Sequence, residues 1–548
     1  MKKIKQYKLV LLKRFIIIST GILLFALHSC TDFLTKEPLD QLSDNTFWKN
    51  EKDARMALVG CYQVNNGMWL EGDWWSYRGL LWLEFATDNA FDRRGIHSNQ
   101  SKLTSGDNIS TNRVPQNYWQ SSYKKIARCN NFLENIENVK MDEAEKKQMI
   151  AEVRFLRACQ YFYLSQFWGA VPLVTKVLTI DEANSITRTP KNEVVDFVLS
   201  ELTETANDLP VSWDPSDDGR ATKGAALAFK GRLQMAEKSW ADAASTYKSI
   251  IDLGVYGIDP RYEELFLESG ENSPEIIFSN QLIENLLPSG ILQHHYPFIA
   301  GGWHVMCPLN SIVDEYECTD GKSIDESPLY DPSHPFENRD PRLYMSVLLP
   351  NYSTFKGILY VTHPDSITAP DRVPTKTKTG YGLRKFLDEN YSGDLYNYGG
   401  NLPLVRYSEI LLSYLESVIE SGQSVNQALL DETINKVRGR ASVNLPPVTE
   451  LDPDKLLTIV RHERRVELAF EGVRYWDLLR WGIADEVLDA DFYGAKIADS
   501  PDDTPYQVDA TGHYYVCTRH FRKDVDYLWP IPQTEIDINP NLTQNPGY

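Results

Sequence analysis

The sequence predicts a mainly α protein, a helical-repeat scaffold that carries one large loop-rich region. Three observations carry this reading. Apolar residues recur at helical spacing through long stretches before residue 255 and after residue 400. Several of those stretches come as pairs separated by a short turn, at the scale of a structural repeat. Between about 255 and 400 the periodicity disappears, and proline, glycine, aspartate and aromatic residues take over.

The chain opens with a basic leader. Residues 1–29 hold six Lys/Arg and no acidic residue, and the apolar run from Phe15 to Leu27 is too short for a comfortable bilayer span. The leader ends Leu27-His28-Ser29-Cys30, which resembles the lipobox of bacterial lipoproteins, with His28 as a departure. That resemblance implies lipidation of Cys30 and a mature chain held on a membrane without crossing it. Residues 30–45 then form the lipidated Cys and a proline-containing tether.

Helices are expected at about 51–66, 115–139, 143–168, 191–208, 222–237 and 240–252, within an N-terminal region 46–254. In the third, Phe155, Ala158, Phe162 and Leu164 lie near one face, and Gly169 and Pro172 stop it. Thr222–Ala236 supplies small residues for close helix approach, and Trp240–Ile251 follows like the second helix of a tetratricopeptide repeat. Leu404–Ile419 and Asn426–Arg440 repeat the plan. Neither helix of a pair buries its apolar face alone, so the pairs must stack. Region 255–548 thus comprises the insert (255–400), a helical part and a C-terminal strap, in one compact body. Long loops on a rigid scaffold are where binding residues concentrate.

The segment Lys455–Gly472 is the most charged of the helices. Leu456, Ile459, Val460, Val466 and Phe470 make an apolar stripe, and Glu463 and Glu467 fall on or beside it. Buried carboxylates must be paired. Arg461, Arg464, Arg465 and Arg474 are near enough to supply partners, so Glu463, Glu467, Arg464 and Arg474 are expected to form a structural clamp. A glycosidase acid and base would need to face each other across a cleft, which two residues four apart on one helix do not do. Gly472 is expected to interrupt this helix before a second aromatic turn, Tyr475–Trp481.

Composition narrows the function. The chain has 56 basic and 76 acidic residues, a net charge of −20, and loss of the leader's six basic residues takes it to −26. Such a charge argues against a nucleic-acid partner. Thirteen Trp and twenty-nine Tyr exceed what a core needs and suit flat, weakly polar ligands such as sugar faces. The cysteines show no paired metal-ligand spacing, and Cys129 and Cys159 read as core thiols. There is no phosphate loop, nucleophile elbow or zinc helix, and no enzyme is expected. His294, His295, His304 and Cys307 read as loop residues rather than a metal site. Asp214–Gly219 imitates the front of a calcium loop, but Ala225 stands where a bidentate Glu is needed. No cofactor is expected, with a structural calcium ion left open.

Six segments resemble one family. They are Cys30-x-x-Phe33-Leu34-x-x-x-Pro38, and Arg154-Phe-Leu-Arg157-Ala158 running on to Trp168-Gly169 and Pro172. Next come the short motifs Asp320-Gly321-Lys322 and Asp340-Pro341-Arg342, then the helix carrying Arg464, Glu467, Leu468, Phe470, Glu471, Gly472, Arg474, Asp477, Arg480 and Trp481. The last is the tail Pro530-Ile-Pro532…Glu535-Ile536…Asn539-Pro540…Gln544-Asn-Pro-Gly-Tyr548. Together they resemble the SusD/RagB-like outer-membrane nutrient-binding lipoproteins. The resemblance implies a tetratricopeptide-like scaffold with a loop-rich ligand-binding region. It also implies a glycan ligand, a SusC-like TonB-dependent transporter as partner, and an outer-membrane anchor facing the extracellular side.

Two aromatic clusters stand outside helical stripes, Trp69–Arg78 and Tyr296–His304. Glycine-flanked aromatics in loops are well placed to present ring faces, with nearby Asp or Arg bonding sugar hydroxyls. Trp74, Trp75, Tyr296 and Trp303 are the expected stacking residues, and Asp73 and Arg78 the polar contacts. The competing reading keeps the anchored repeat but makes it a scaffold for peptides or proteins.

Overall fold

A computed structural model describes residues 47–63 and 71–548, and Tyr7; Cys30, the tether and the rest of the leader lie outside the described residues. Helix α1 (Glu51–Tyr62) starts at a reciprocal cap, Asn50 accepting from Asp53 N and the Asp53 carboxylate from Asn50 N. α2 (Arg113–Asn135) and α3 (Glu143–Trp168) follow, and α3 ends at Gly169 with φ +74°. α4 (Lys191–Asp208), α5 (Lys223–Ala236) and α6 (Trp240–Ile251) complete the first half. Consecutive helices pack on one another from α2 to α6. At Gly231 an added Cβ would fall 2.6 Å from the Tyr247 ring, so the small residue lets α5 and α6 approach. Among the described residues no helix is long and apolar enough to cross a membrane.

The stack then continues across the insert. α6 packs directly on α7 (Tyr407–Glu420), and α7 on the charged helix α10 (Pro453–Glu467). Two expectations are corrected here. Leu404–Arg406 is not the first turn of α7 but part of strand β4 (Leu402–Arg406), paired antiparallel with β2 (Ile276–Asn280). The helix expected over 426–440 is two short pieces, α8 (Gln427–Glu432) and α9 (Ile434–Arg438). The break falls at Thr433, with φ −123° and ψ −99°, whose hydroxyl donates to Leu429 O at 2.6 Å. Such back-bonding by a β-branched residue bends a helix. α11 (Arg474–Trp481) is the short aromatic helix, entered through Gly472 at φ +78°, where a Cβ would strike Leu80 O at 2.2 Å.

The insert leaves and returns at one place, because Asn280 pairs with Leu402 and Ile276 with Arg406. Its interior holds short helices and two-stranded ladders. One ladder joins β1 (Ala90–Asp92) to β3 (Met306–Pro308), which fastens the insert to the N-terminal region. After α11 comes the hairpin β5 (Asp491–Lys496) and β6 (His513–Thr518).

α10 organises the interior through charge. Glu463 and Glu467 are fully buried, but their partners are not the arginines nearest in sequence. Glu467 accepts from Arg342, Arg406 and Arg440 at 3.0, 3.0 and 2.9 Å. Glu463 accepts from Arg342 at 2.5 Å and Arg438 at 2.7 Å. Glu275 accepts from Arg406 and Arg440, and Glu471 from Arg406 and Lys385. Burial by itself would raise the Glu467 carboxyl, but Arg440, Arg406 and Arg342 outweigh it and hold the pKa at about 2. Arg464 and Arg474, expected in this clamp, point elsewhere: Arg464 to Asp477 at 2.7 Å, and Arg474 to Asp88 at 2.9 Å. An arginine one position from a glutamate on a helix faces away from it, so the carboxylates are reached from other elements.

The strap closes the body. Trp529 is fully buried, its peptide N–H donates to Phe167 O at 2.6 Å and its indole to Tyr475 Oη at 3.1 Å. Asn545 donates from its amide to Trp168 O and Trp529 O, and Trp168 donates to Pro530 O.

Candidate functional site

The expected ligand residues divide between core and surface. Trp74 is wholly buried and stacks within 5° of the Tyr163 ring plane at 4.4 Å, with Phe167 at 4.9 Å and Trp529 at 5.8 Å. Its indole N–H donates to Ser122 Oγ at 3.0 Å. Trp75 is buried against Phe278 and Phe229, under the Lys125 ammonium. Asp73 is buried and pairs with that same Lys125 at 3.1 Å. Tyr296 is buried against Phe355, and its hydroxyl donates to Asp388 O. Arg78 is buried and pairs with Glu71 at 2.5 Å. Trp74, Trp75, Tyr296, Asp73 and Arg78 are therefore corrected to structural residues, since none offers a ring face or free edge to solvent. An indole displaced from such a stack would leave a cavity costing several kcal/mol.

Trp303 is different: it is half-buried, on the surface of the core. Gly301 at φ +85° and Gly302, where a Cβ would meet Tyr296 at 2.3 Å, turn the chain tightly and throw the next residue outward. The Trp303 peptide N–H is anchored on Gln293 O at 2.8 Å. Its ring meets His294 at 4.9 Å and Tyr396 at 5.6 Å, both nearly perpendicular.

The two aromatic clusters do meet, through His294. Its Nδ1 lies 3.0 Å from Tyr77 Oη, and its ring is 5.5 Å from that of Trp82. His294 and His295 belong to a short helix, Ile291–His295, and are buried, which corrects their reading as loop histidines. Burial pushes the His294 pKa down to about 4, so its imidazole is neutral at physiological pH. His304 is likewise buried, with Nδ1 2.8 Å from Asp371 Oδ1.

Above the Tyr77–His294 pair lies a rim of half-exposed groups. Arg94 stacks its guanidinium over Trp82 at 4.5 Å and forks onto Asp92 at 2.9 and 2.7 Å, with its side chain 31% exposed. Glu71 lies 3.6 Å from Arg94 and 2.5 Å from Arg78. Trp303 and Tyr396 supply the ring faces. One of these two rings, set 77° apart, can stack on a sugar's C–H face while a guanidinium and a carboxylate bond its hydroxyls. Glu71, Trp82, Arg94 and Tyr396 were not singled out in the sequence. Tyr396 sits in the aperiodic, glycine- and tyrosine-rich run 390–400, whose texture was the available signal. Among the described residues no cluster of His, Cys, Asp or Glu is suited to a metal.

Comparison with known proteins gives a consistent picture. The family model described as "SusD family" matches residues 270–548, and one described as "Starch-binding associating with outer membrane" matches residues 36–235. SusD-like protein P38 of Formosa agariphila is 28% identical, over 89% of this chain and 94% of that protein. A crystal structure of a SusD-like carbohydrate binding protein from Bacteroides fragilis superposes with a TM-score of 0.88 at 43% identity, covering 91% of this chain and all of that one. A second SusD-like protein from the same species superposes with a TM-score of 0.78 at 27% identity, covering 94% of this chain.

Proposed function

The chain belongs to the SusD family, and on that premise we propose that it is a cell-surface lipoprotein which captures an oligosaccharide and delivers it to a SusC-like TonB-dependent outer-membrane transporter. The observation that carries the ligand class is the rim at Trp303: the partly exposed rings of Trp303 and Tyr396 stand 77° apart, Trp303 rests on His294, and His294 in turn meets Trp82, which carries the Arg94 guanidinium paired with Glu71. Ring faces bury the C–H face of a pyranose, and the charged pair bonds its hydroxyls without needing a charged ligand. Relatives described as carbohydrate binding support that class, and support a binding protein over an enzyme. The match to a family of starch-binding proteins that associate with the outer membrane supports the location, together with the lipobox-like Leu27–Cys30. The helical stack, from α2 through α7, is the surface assigned to the transporter.

Affinity gel electrophoresis against a panel of soluble glycans tests this reading. The protein should be retarded by at least one of them, and Trp303→Ala should abolish most of that retardation while leaving the thermal midpoint near its original value. No retardation by any glycan, with a co-purifying peptide or protein instead, would favour the anchored-scaffold reading.

A further inference from the structure

A sizeable cavity lies away from Trp303. It has a volume of about 760 Å³ and sits between the 310–339 segment and the β5–β6 hairpin. That is within the roughly 300–1,000 Å³ range of small-molecule sites. Its lining includes three rings, Tyr330, Phe336 and Tyr381, and the polar groups Asp314, Asn351 and His513.

The cleft is built rather than left over from poor packing. Buried Arg339 donates to Val313 O at 2.7 Å, Tyr316 O at 2.6 Å and Pro335 O at 2.9 Å, which ties the two loops of one wall together. Its guanidinium lies 5.7 Å from the Tyr330 ring centre. Phe336 is held by its carbonyl, which accepts from Tyr344 Oη at 2.6 Å, and its ring stands 79° to that of Tyr381 at 6.4 Å. Tyr381 donates to Asn310 Oδ1 at 2.9 Å, and Asn310 Nδ2 donates to Asp314 Oδ2 at 2.6 Å. Burial raises the Asp314 carboxyl, and His513 and Arg339 oppose that rise; Asp314 and His513 both line the cavity. Tyr330 and Phe336 are half-buried and keep ring surface toward the cavity.

The chemistry selects the occupant. An anion would need an uncommitted cation, but Arg339 is directed at carbonyls and Lys496 pairs with Asp499 at 3.0 Å. A purely apolar ligand would cover Asp314 and His513 while offering them no hydrogen bond beyond those they already have with Asn310 and Thr511. Ring faces set beside a carboxylate, an amide and an imidazole match a neutral polyol ring. We propose that this cleft is a second carbohydrate site, separate from the Trp303 rim, which takes one or two pyranose units of a neutral glycan. Its ligand class rests on the carbohydrate reading above; its location does not.

Crystals of the protein soaked in turn with laminarihexaose, maltohexaose, cellohexaose, xylohexaose, mannohexaose and chitohexaose decide both sites by position. At least one of these sugars should lie against Phe336 and Tyr330 in the cleft. Sugar seen only at Trp303 overturns the second site and leaves the first. Sugar only in the cleft does the reverse, and a cleft empty with all six overturns this inference whatever happens at the rim. In solution, Trp303→Ala should retain weaker calorimetric binding of the same sugar, and adding Phe336→Ala should weaken that remainder about tenfold. Asp314→Asn, which preserves the bond to Asn310, should weaken it about fivefold and guards against a Phe336 variant that does not fold. Residual binding unchanged by both variants overturns the cleft.

Discussion

The ionic hub on α10 and the rim at Trp303 are both dense clusters of functional-looking side chains, yet they are opposite in construction. In the hub, Glu463 and Glu467 are fully buried and every partner arrives from another element: Arg342 from the insert, Arg406 from β4, Arg438 and Arg440 from the α9 end. At the rim, Trp303, Tyr396, Arg94 and Glu71 are only partly covered, although Arg94 is itself tied to Asp92, Glu71 and Trp82. The difference teaches that charge density by itself marks structure here, while partial exposure of an anchored ring marks binding. Buried charges whose lone pairs are all taken have nothing left for a ligand.

The comparison can be broken most forcefully at the hub. Glu467→Ala leaves Arg406, Arg440 and Arg342 short of a carboxylate and should destabilise the fold by about 3–5 kcal/mol, read by chemical denaturation. A loss below 1 kcal/mol would mean the hub is not what holds the insert to the helices. Trp74→Ala should cost a similar ~3–5 kcal/mol through the cavity it opens, while the protein that remains folded binds its glycan as before. A selective loss of affinity instead would return Trp74 to the binding surface.

Acid separates the two regions in order. The His294 pKa is depressed to about 4, so its contribution is complete above the unfolded value of about 6.5 and is lost as pH falls through 4. Glu467 is depressed to about 2, so its contribution is complete above about 4.5 and is lost only as pH falls toward 2. Glycan binding at the rim should therefore fail near pH 4 while far-ultraviolet circular dichroism still reports a helical body. Simultaneous loss of both signals would contradict the separation. At the small end, Trp303→Ala should reduce affinity about tenfold, near 1.4 kcal/mol, with a stability change under about 1 kcal/mol. Arg94→Ala should follow at about threefold to tenfold.

How much of this was legible in the sequence follows from the range of the interactions. Helices α2 to α6 are written in local periodicity and caps, and the expected spans lie within a few residues of the observed ones. α9's separation from α8 was not, because a single Thr433 side-chain bond decides it. The hub was half legible. That Glu463 and Glu467 lie on the apolar side of one helix is local information, but which arginines reach them is set by how β4, α9 and the insert fold back. The aromatic clusters misled for the same reason. Glycine-flanked tryptophans promise exposed rings, but Trp74 is covered by Tyr163 and Phe167 from α3 and by Trp529 from the far end of the chain. Among the described tryptophans of those clusters, only Trp303, beside Gly301 and Gly302, keeps the exposure that its surroundings implied.

The pairing of β2 with β4 has a consequence for how such a molecule changes its taste. Since residues 281–401 depart and come home at adjoining strand ends, that span hangs as one cassette on the helical chassis. A graft from a relative would inherit the donor's ligand preference only if it also carried an arginine at 342 and a lysine at 385, the two plugs by which the cassette is wired into the acidic sockets of the chassis.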